Sequence, residues 1–293
     1  MENSLAYTLS HAPLSVSFEV FPPKGDLALE AACSLMEELT PLSPTFVSVT
    51  CSAGGGGNAA NTPKIAAMVE ERFNTPSVAH MTCMNATSDE SLASDLGYLR
   101  ACGVQNVLAL RGDIPKGAAL PKRHFAKDLI PILKEQGFCV GAAAYPEGHI
   151  ECDDDRANLN HLKQKQDAGA DFFVTQLVFD NAHIYRFRED AQRAGITAPI
   201  TYGIMPFMSK SQIQRMVFMC GVSLPSPIIK LLAKYEDDEV SLRKAGIEYA
   251  CEQFVDLAQH GVTALHVYCM NRVDVAQSAI EALTASGFLS TLG

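Results

Sequence analysis

The sequence contains no hydrophobic run long enough to cross a membrane. A helix that spans a bilayer needs about 20 consecutive apolar residues, and every apolar run in this 293-residue chain is much shorter. Residues 1–13 also lack the basic region and the apolar block of a signal peptide. We therefore expect a cytoplasmic protein without a membrane partner.

Positive charge and paired cysteines are scarce as well. The formal net charge is −10, which argues against nucleic acid as a partner, because nucleic acid binds basic surfaces. The nine cysteines include no Cys-x-x-Cys pair. His80-x-x-Cys83 and His266-x-x-Cys269 lie in strand-like runs, where residues three apart point to opposite faces. We predict reduced thiols and no metal site.

The sequence has no G-x-G-x-x-G motif after its first strand-like run, although that motif is usual in open dinucleotide-binding sheets. What it does have is a regular alternation of apolar runs and helical patterns. Short runs bounded by breakers predict buried strands. Eight such runs cover Ser15–Phe21, Phe46–Thr50, Ser77–Cys83, Asn106–Leu110, Phe138–Tyr145, Asp171–Val178, Pro199–Met205 and Thr263–Met270.

Glycine follows five of the predicted helices at the same place, just before the next strand. These glycines are Gly103, Gly137, Gly169, Gly195 and Gly261. Glycine tolerates the left-handed conformation that closes a helix. Eight strand–helix units predict an α/β fold, a single (β/α)8 TIM barrel over residues 1–293, with extra helices between strands 7 and 8. We expect residues 1–13 to form a loose N-terminal segment.

Polar side chains stand in or near the distal halves of the predicted strands. In a (β/α)8 barrel these positions meet at the carboxyl face, where the active site lies. The residues are Glu19, Thr50, His80, Arg111 with Asp113, Tyr145, Gln176, and Tyr268 with Arg272. We predict that they form one site.

Several of these residues have more than one interpretation. A carboxyl group among apolar side chains ionises less readily than one in water, so Glu19 is a candidate general acid. The alternative is that Glu19 is ionised and pairs with a basic residue. Arg111 and Asp113 either form a local ion pair or face a ligand, and the intervening Gly112 favours the ligand. His80 alone would be a core histidine. The glycine run at 54–57 is a lid or turn, because no Lys-Ser/Thr follows it.

Taken together, the motifs resemble those of one family, methylenetetrahydrofolate reductase, and the short single-domain bacterial type in particular. They run in order along nearly the whole chain. The matching stretches are Ser17-Phe-Glu-Val-Phe-Pro-Pro-Lys24, Ser48-Val-Thr50, Ala79-His-Met-Thr-Cys83, Leu110-Arg-Gly-Asp113, Ala143-Ala-Tyr-Pro-Glu147-x-His149, Lys163-x-Lys165-x-x-Ala-Gly-Ala170, Thr175-Gln176 with Asp180, and His266-x-Tyr268-x-x-Asn-Arg272.

The resemblance implies a flavoprotein with FAD at the carboxyl face of the barrel. NADH or NADPH would reduce the flavin and leave, and 5,10-methylenetetrahydrofolate would then accept the hydride, giving the 5-methyltetrahydrofolate used in methionine synthesis. The implied catalytic residues are Glu19, the general acid that opens the imidazolidine ring of the folate, and Asp113. The implied cofactor-binding residues are Thr50, His80, Arg111, Gly112, Asp113, Tyr145, His149, Asn158 and Lys165. The implied substrate-binding residues are Glu19, Asp113, Gln176, Phe207, Tyr268 and Arg272.

The chain departs from the family pattern at two positions. Lys210 aligns where the family often has an aromatic residue that touches substrate, and Phe207 is expected to serve instead. Asn158 replaces an aspartate that binds the FAD ribose, which keeps an acceptor and loses a charge.

Two other functions stay open at this level. A pterin- or folate-binding barrel enzyme could use a similar mouth without flavin, and a non-catalytic binding barrel is a third possibility that Glu19 and Asp113 disfavour. The sequence leaves open the choice between NADH and NADPH and the question of whether the protein is a homo-oligomer.

Overall fold

The structure, a computed structural model, describes residues 4–25, 27–51, 59–84, 88–114 and 123–290. Its strands are parallel and close into a barrel in chain order, with β8 paired to β1. The strands are β1 (Ser15–Val20), β2 (Val47–Val49), β3 (Ser77–Thr82), β4 (Asn106–Leu110), β5 (Cys139–Ala144), β6 (Phe172–Thr175), β7 (Ile200–Ile204) and β8 (Ala264–Val267). The prediction of a (β/α)8 barrel is confirmed.

Helices surround the barrel. They are α1 (Leu5–His11), α2 (Ala28–Leu39), α3 (Thr62–Phe73), α4 (Asp89–Ala101), α5 (Ala126–Glu135), α6 (Asp155–Asp167), α7 (Asn181–Arg193), α8 (Lys210–Cys220), α9 (Ser226–Lys234), α10 (Glu239–Gln259) and α11 (Val273–Ala285). Helices α8, α9 and α10 fill the long connection between β7 and β8, as predicted. All five predicted helix-ending glycines have positive φ, from 71° at Gly103 to 110° at Gly169.

The N-terminal segment differs from the prediction. Residues 5–11 form α1, and the Ser4 side chain caps the helix by accepting a hydrogen bond from Tyr7 N at 3.2 Å. Leu5 and Leu9 lie on one face because they are four residues apart. Both are buried, in one cluster with interior residues such as Phe46 and Phe172. Helix α1 is therefore a packed part of the barrel rather than a loose segment.

The barrel interior is apolar near α1 and polar nearer the carboxyl face. Close packing inside depends on Gly141 in β5, because a Cβ there would lie 2.4 Å from the Phe172 ring. Further along, Ser17 pairs in register with His266 of β8, and Glu19 pairs with Ser48 of β2. Strands expose alternate residues to one face, so the register stacks polar side chains above the apolar layer.

The glycine run at 54–57 lies outside the described residues. Among the helices that the structure describes, none is both long enough and apolar enough to span a bilayer.

Candidate active site

Glu19 stands inside the barrel between two buried histidines. The Nε2 atoms of His80 and His266 each lie 3.8 Å from Glu19 Oε2. The Glu19 side chain keeps 21% of its surface exposed, so it also faces the open mouth. A carboxyl group that has a buried side and an open side can exchange a proton with a ligand in the mouth.

Each histidine is held by a serine from a neighbouring strand. The Ser48 hydroxyl lies 2.6 Å from His80 Nε2, and the Ser17 hydroxyl lies 2.7 Å from His266 Nδ1. Burial lowers the pKa of His80 to about 4, with a smaller opposing effect from Glu19. His80 is therefore neutral near pH 7 and gives the Glu19 carboxylate no positive partner.

A second group of predicted residues lines one cavity beside β4 and β5. The cavity has a volume of about 200 Å³ and is walled by α5, α6 and the loops before them. Its lining includes five of the residues predicted to bind cofactor: Arg111, Tyr145, His149, Asn158 and Lys165. The structure thus brings together residues that are up to 54 positions apart in the sequence.

The Arg111 side chain does not pair with Asp113. It makes two hydrogen bonds to Glu151, one from each terminal nitrogen, while Asp113 is exposed at the mouth. Between them, Gly112 has φ +85°, and a Cβ there would lie 2.9 Å from the Thr82 Cβ. The local ion pair considered from the sequence is therefore absent. The backbone at Gly112 fits tightly because it lacks a side chain.

The other wall of the cavity is formed by partly buried polar residues. Lys165 Nζ donates to Ala143 O at 2.7 Å and lies 5.3 Å from the centre of the Tyr145 ring. Burial lowers the pKa of Lys165 to about 8 and raises that of Tyr145 to about 12. Asn158 Nδ2 donates to Tyr145 O at 2.9 Å. Burial and the nearby Arg111 lower the pKa of His149.

Thr50 presents an unsatisfied group at the end of β2. Its Oγ1 atom is buried and has no hydrogen-bond partner in the part of the chain that the structure describes. A buried hydroxyl without a partner costs about 1–3 kcal/mol. A polar ligand atom would remove that cost.

The predicted substrate-side residues come from β6, β7 and β8. Tyr268 donates its hydroxyl hydrogen to Thr175 O at 2.6 Å, and burial raises its pKa well above 10.0. Its ring occupies space left by Gly203, where a Cβ would lie 2.3 Å from Tyr268 Cε2. Gln176 follows β6 directly and accepts from Leu177 N through Oε1 at 3.0 Å. Gln176 lies at the end of β6 and Tyr268 at the end of β8, the two strands that flank β7.

Arg272 is exposed where the loop after β8 enters α11. The preceding Asn271 is left-handed, with φ 56°, and its side chain bonds both the N–H and the C=O of Phe21 at 2.9 Å. This contact joins the loop after β8 to the end of β1. It positions Arg272 on the same side of the barrel as Glu19.

Phe207 is a correction to the predicted site. Its side chain has no exposed surface, and its ring packs 6.2 Å from that of Tyr249 in a hydrophobic cluster formed with α8 and α10. Gly246 permits this packing, since a Cβ there would lie 1.8 Å from Phe207 O. Phe207 therefore supports the wall instead of facing the mouth. Lys210 lies at the start of α8 and pairs with Glu236 at 3.1 Å.

Sequence reasoning missed several residues around the site. Glu151 holds Arg111, and Lys127 donates to Gln164 at 2.8 Å across the cavity wall. Ser17 and Ser48 were missed as histidine partners, although their alternation with Glu19 along inward faces was a usable signal. Among the described residues, no cluster of three or more His, Cys, Asp or Glu side chains could hold a metal ion.

A larger cleft, about 1010 Å³, lies at the opposite end of the barrel beside α1. Its lining includes Asn106 and Cys139, the first residues of β4 and β5. In (β/α)8 enzymes the amino end serves stability and the carboxyl end carries the chemistry. We therefore assign the site to the carboxyl face.

Comparison with known proteins agrees with this geometry. A family model described as methylenetetrahydrofolate reductase matches residues 5–284. The 5,10-methylenetetrahydrofolate reductase of Escherichia coli strain K12 is 33% identical over 271 residues, which cover 92% of this chain and 90% of that one. Methylenetetrahydrofolate reductase (NADH) 1 of Arabidopsis thaliana is 34% identical over 290 residues, covering 93% of this chain and 48% of that longer protein.

A solved structure has the same fold. It is an uncharacterized Clostridium thermocellum protein that binds two copies of 5-methyl-5,6,7,8-tetrahydrofolic acid, with a TM-score of 0.69 and 14% identity. The match covers 97% of this chain and 99% of that one.

Proposed function

Since the chain belongs to the methylenetetrahydrofolate reductase family, we propose that it reduces 5,10-methylenetetrahydrofolate to 5-methyltetrahydrofolate with FAD and with NADH or NADPH. The observation that carries the proposal is the position of Glu19, a carboxyl group with two buried histidines beneath it and the open mouth above it. The binding of a methylated tetrahydrofolate by the Clostridium thermocellum barrel supports a folate substrate.

The residues present fit FAD. The cavity of about 200 Å³ offers cations from Arg111 and Lys165, although the whole protein is acidic. Thr50 supplies an unsatisfied buried hydroxyl. We assign the cofactor to Thr50, His80, Arg111, Gly112, Asp113, Tyr145, His149, Asn158 and Lys165. When bound, FAD supplies a carrier that takes hydride from the nicotinamide and passes it to the folate.

In this proposal Glu19 is the proton donor. The imidazolidine ring of the substrate opens when one C–N bond breaks and the bonding electron pair stays on nitrogen. Glu19 gives its proton to that nitrogen, which leaves an electrophilic iminium carbon. General acid catalysis of this kind contributes about 100- to 10,000-fold.

The remaining residues orient the substrate. Asp113 is exposed at the mouth and can accept hydrogen bonds from a pterin. Gln176 carries both a donor and an acceptor, and Tyr268 and Arg272 lie on the same side of the mouth. Folates carry carboxylates, and the exposed Arg272 suits them because a guanidinium binds a carboxylate through two hydrogen bonds.

Glu19→Gln separates the two halves of the reaction. The amide keeps the size and the hydrogen-bonding capacity of the side chain and loses the acidic proton. We expect FAD content and anaerobic flavin reduction by NADH to stay within about twofold of the wild type, and reoxidation by methylenetetrahydrofolate to slow by at least about 100-fold. Stopped-flow absorbance of the flavin measures both steps.

Asp237→Asn is a suitable control, since Asp237 is an exposed carboxylate between α9 and α10. It should leave both half-reactions unchanged. If Glu19→Gln reoxidises as fast as the wild type, Glu19 is not the acid. If the wild type itself neither binds FAD nor turns over the folate, the proposed function is wrong.

A further inference from the structure

The loop after β8 holds two consecutive residues in a left-handed conformation. Met270 has φ 55° and Asn271 has φ 56°, and neither is glycine. Asparagine tolerates this conformation better than most residues, whereas methionine adopts it rarely. Such residues persist only where the surrounding structure holds them, and they concentrate at functional sites. The contacts of this loop show what holds it.

Side-chain hydrogen bonds replace backbone pairing where β8 departs from β1. The two strands pair in register as far as Val267. Beyond that residue, Cys269 Sγ donates to Glu19 O at 3.0 Å. The Asn271 amide then bonds to Phe21, the first residue after β1. The loop is therefore attached to the end of the strand that carries Glu19.

The Asn271 amide bonds to Phe21 in the way that a neighbouring strand would. Its Oδ1 accepts from Phe21 N and its Nδ2 donates to Phe21 O, both at 2.9 Å. In a parallel sheet, the N–H and the C=O of one residue likewise bond to the same neighbouring strand. An amide offers an acceptor and a donor, whereas a carboxylate offers acceptors only and glycine has no side chain. Both bonds to Phe21 therefore depend on the amide.

The same loop is held on its other side as well. Tyr268, which begins the loop, bonds to Thr175 O of β6, as described above. Arg272 N donates to Cys269 O at 2.9 Å, which closes the turn. The Arg272 side chain is exposed, and the next residue, Val273, begins α11. Because the turn is bonded to both β6 and β1, the backbone of Arg272 has a fixed place at the mouth.

Closure of the barrel alone does not require the Asn271–Phe21 contact. Backbone pairing already joins β1 to β8 along four residue pairs, from Ser15 onwards. The contact lies beyond the last of these pairs and directly before Arg272. Its place in the chain therefore indicates a role at the mouth, next to the residue proposed to bind a folate carboxylate.

We propose that Asn271 is a positioning residue that holds Arg272 where its guanidinium binds a carboxylate of the folate's glutamate, by bonding to the backbone of Phe21. This inference rests on the proposed function, in which Arg272 binds that carboxylate. Phe21 lies two residues beyond Glu19 in the sequence. The same contact thus links the residue that binds the charged end of the substrate to the strand that carries the acid.

Asn271→Gly removes the contact without straining the backbone, because glycine adopts a φ of 56° freely. Asn74→Gly is the matched control. Asn74 is also left-handed, with φ 49°, but it is exposed, ends α3 and lines the cleft at the amino end of the barrel. Arg272→Ala and the double variant with Asn271→Gly complete the set.

Two substrates distinguish a positioning role from a structural one. They are methylenetetrahydrofolate and methylenetetrahydropteroate, which is the same molecule without the glutamate, and each is assayed with the FAD-loaded protein at saturating NADH. In Asn271→Gly we expect kcat/KM for the folate to fall at least about fivefold, since a hydrogen bond between charged groups is weakened. The loss should lie in KM, and kcat/KM for the pteroate should stay within about twofold of the wild type.

The double variant tests whether Asn271 acts through Arg272. Asn271→Gly should add less than about twofold to the loss caused by Arg272→Ala, because residues that share one interaction are not additive. Asn74→Gly should leave the preference for the folate over the pteroate unchanged. Calorimetric titration with 5-methyltetrahydrofolate and its pteroate analogue measures the same preference without turnover, and the ratio of the two Kd values should shrink in Asn271→Gly.

Equal losses for both ligands in Asn271→Gly, or losses that multiply with those of Arg272→Ala, would show that the contact only closes the barrel. If Asn271→Gly does not fold, Asn271→Asp takes its place, because it keeps an acceptor for Phe21 N and loses the donor to Phe21 O. A wild type that uses folate and pteroate equally well refutes the inference and leaves the proposed function standing. A wild type that neither binds nor turns over either ligand refutes the proposed function itself.

Discussion

Gly203 leaves the space that the Tyr268 ring occupies beside β7, and replacing this glycine tests the packing and the proposed substrate contact of Tyr268. In Gly203→Ala the new methyl would meet Tyr268 Cε2 at 2.3 Å and Thr175 O at 2.9 Å. The ring can escape by rotating, but the backbone oxygen cannot. Overpacking of this kind costs about 1–3 kcal/mol. Loss of the Tyr268–Thr175 hydrogen bond adds about 0.5–1.5 kcal/mol, so we expect the free energy of unfolding to fall by about 1.5–4.5 kcal/mol.

Equilibrium urea denaturation measures the stability effect, and the KM for methylenetetrahydrofolate measures the displacement of Tyr268. The KM should rise several-fold, while flavin reduction by NADH changes less. Gly97→Ala is the matched control, because Gly97 lies inside α4 with nothing within 4 Å of an added Cβ. Alanine there should stabilise the protein by up to about 1 kcal/mol. A Gly203→Ala protein as stable as the wild type, with an unchanged KM, would refute the packing argument.

Two further predictions concern the cofactor cavity and the N-terminal helix. Burial lowers the pKa of Lys165 from 10.5 to about 8, so FAD affinity, followed by quenching of flavin fluorescence, should fall as pH rises through about 8. In the unfolded chain Lys165 keeps its proton up to about pH 10.5, so the unfolded state binds more protons than the folded state between about pH 8 and 10.5. The free energy of unfolding should therefore rise with pH over that range. Lys165→Met should remove the pH dependence of the FAD affinity and that of the stability. Leu9→Ala should lower the free energy of unfolding by about 2–5 kcal/mol, because the Leu9 side chain is only 2% exposed. Ser10 is exposed, so the control Ser10→Ala should change it by less than about 0.5 kcal/mol. Urea titration measures both variants. A pH-independent FAD affinity, or a Leu9→Ala protein of wild-type stability, would contradict the respective argument.

Much of the fold could be predicted because its signals are local. Each strand was a short apolar run, and a glycine with positive φ closed each of five helices. Helix α1 was missed because it is short and offered only one pair of leucines at helical spacing. Its stability comes from contact of Leu5 and Leu9 with interior residues such as Phe172, far along the chain. That kind of contact leaves little trace in a local pattern.

The sequence predicted which residues gather at the candidate site better than it predicted which of them are hydrogen-bonded to each other. The pattern of polar residues at strand ends located Glu19 and the cavity around Tyr145, since the barrel gathers strand ends at one face. The partner of Arg111 proved to be Glu151, 40 residues away, instead of Asp113, two residues away. The Ser17–His266 contact joins strands 249 residues apart and exists only because β8 closes on β1.

The most direct test of the account is a visible absorption spectrum of the purified protein, taken before and after anaerobic addition of NADH and then methylenetetrahydrofolate. The account predicts flavin bands that bleach with the nucleotide and return with the folate. A colourless protein that gains no flavin bands when FAD is added would contradict it.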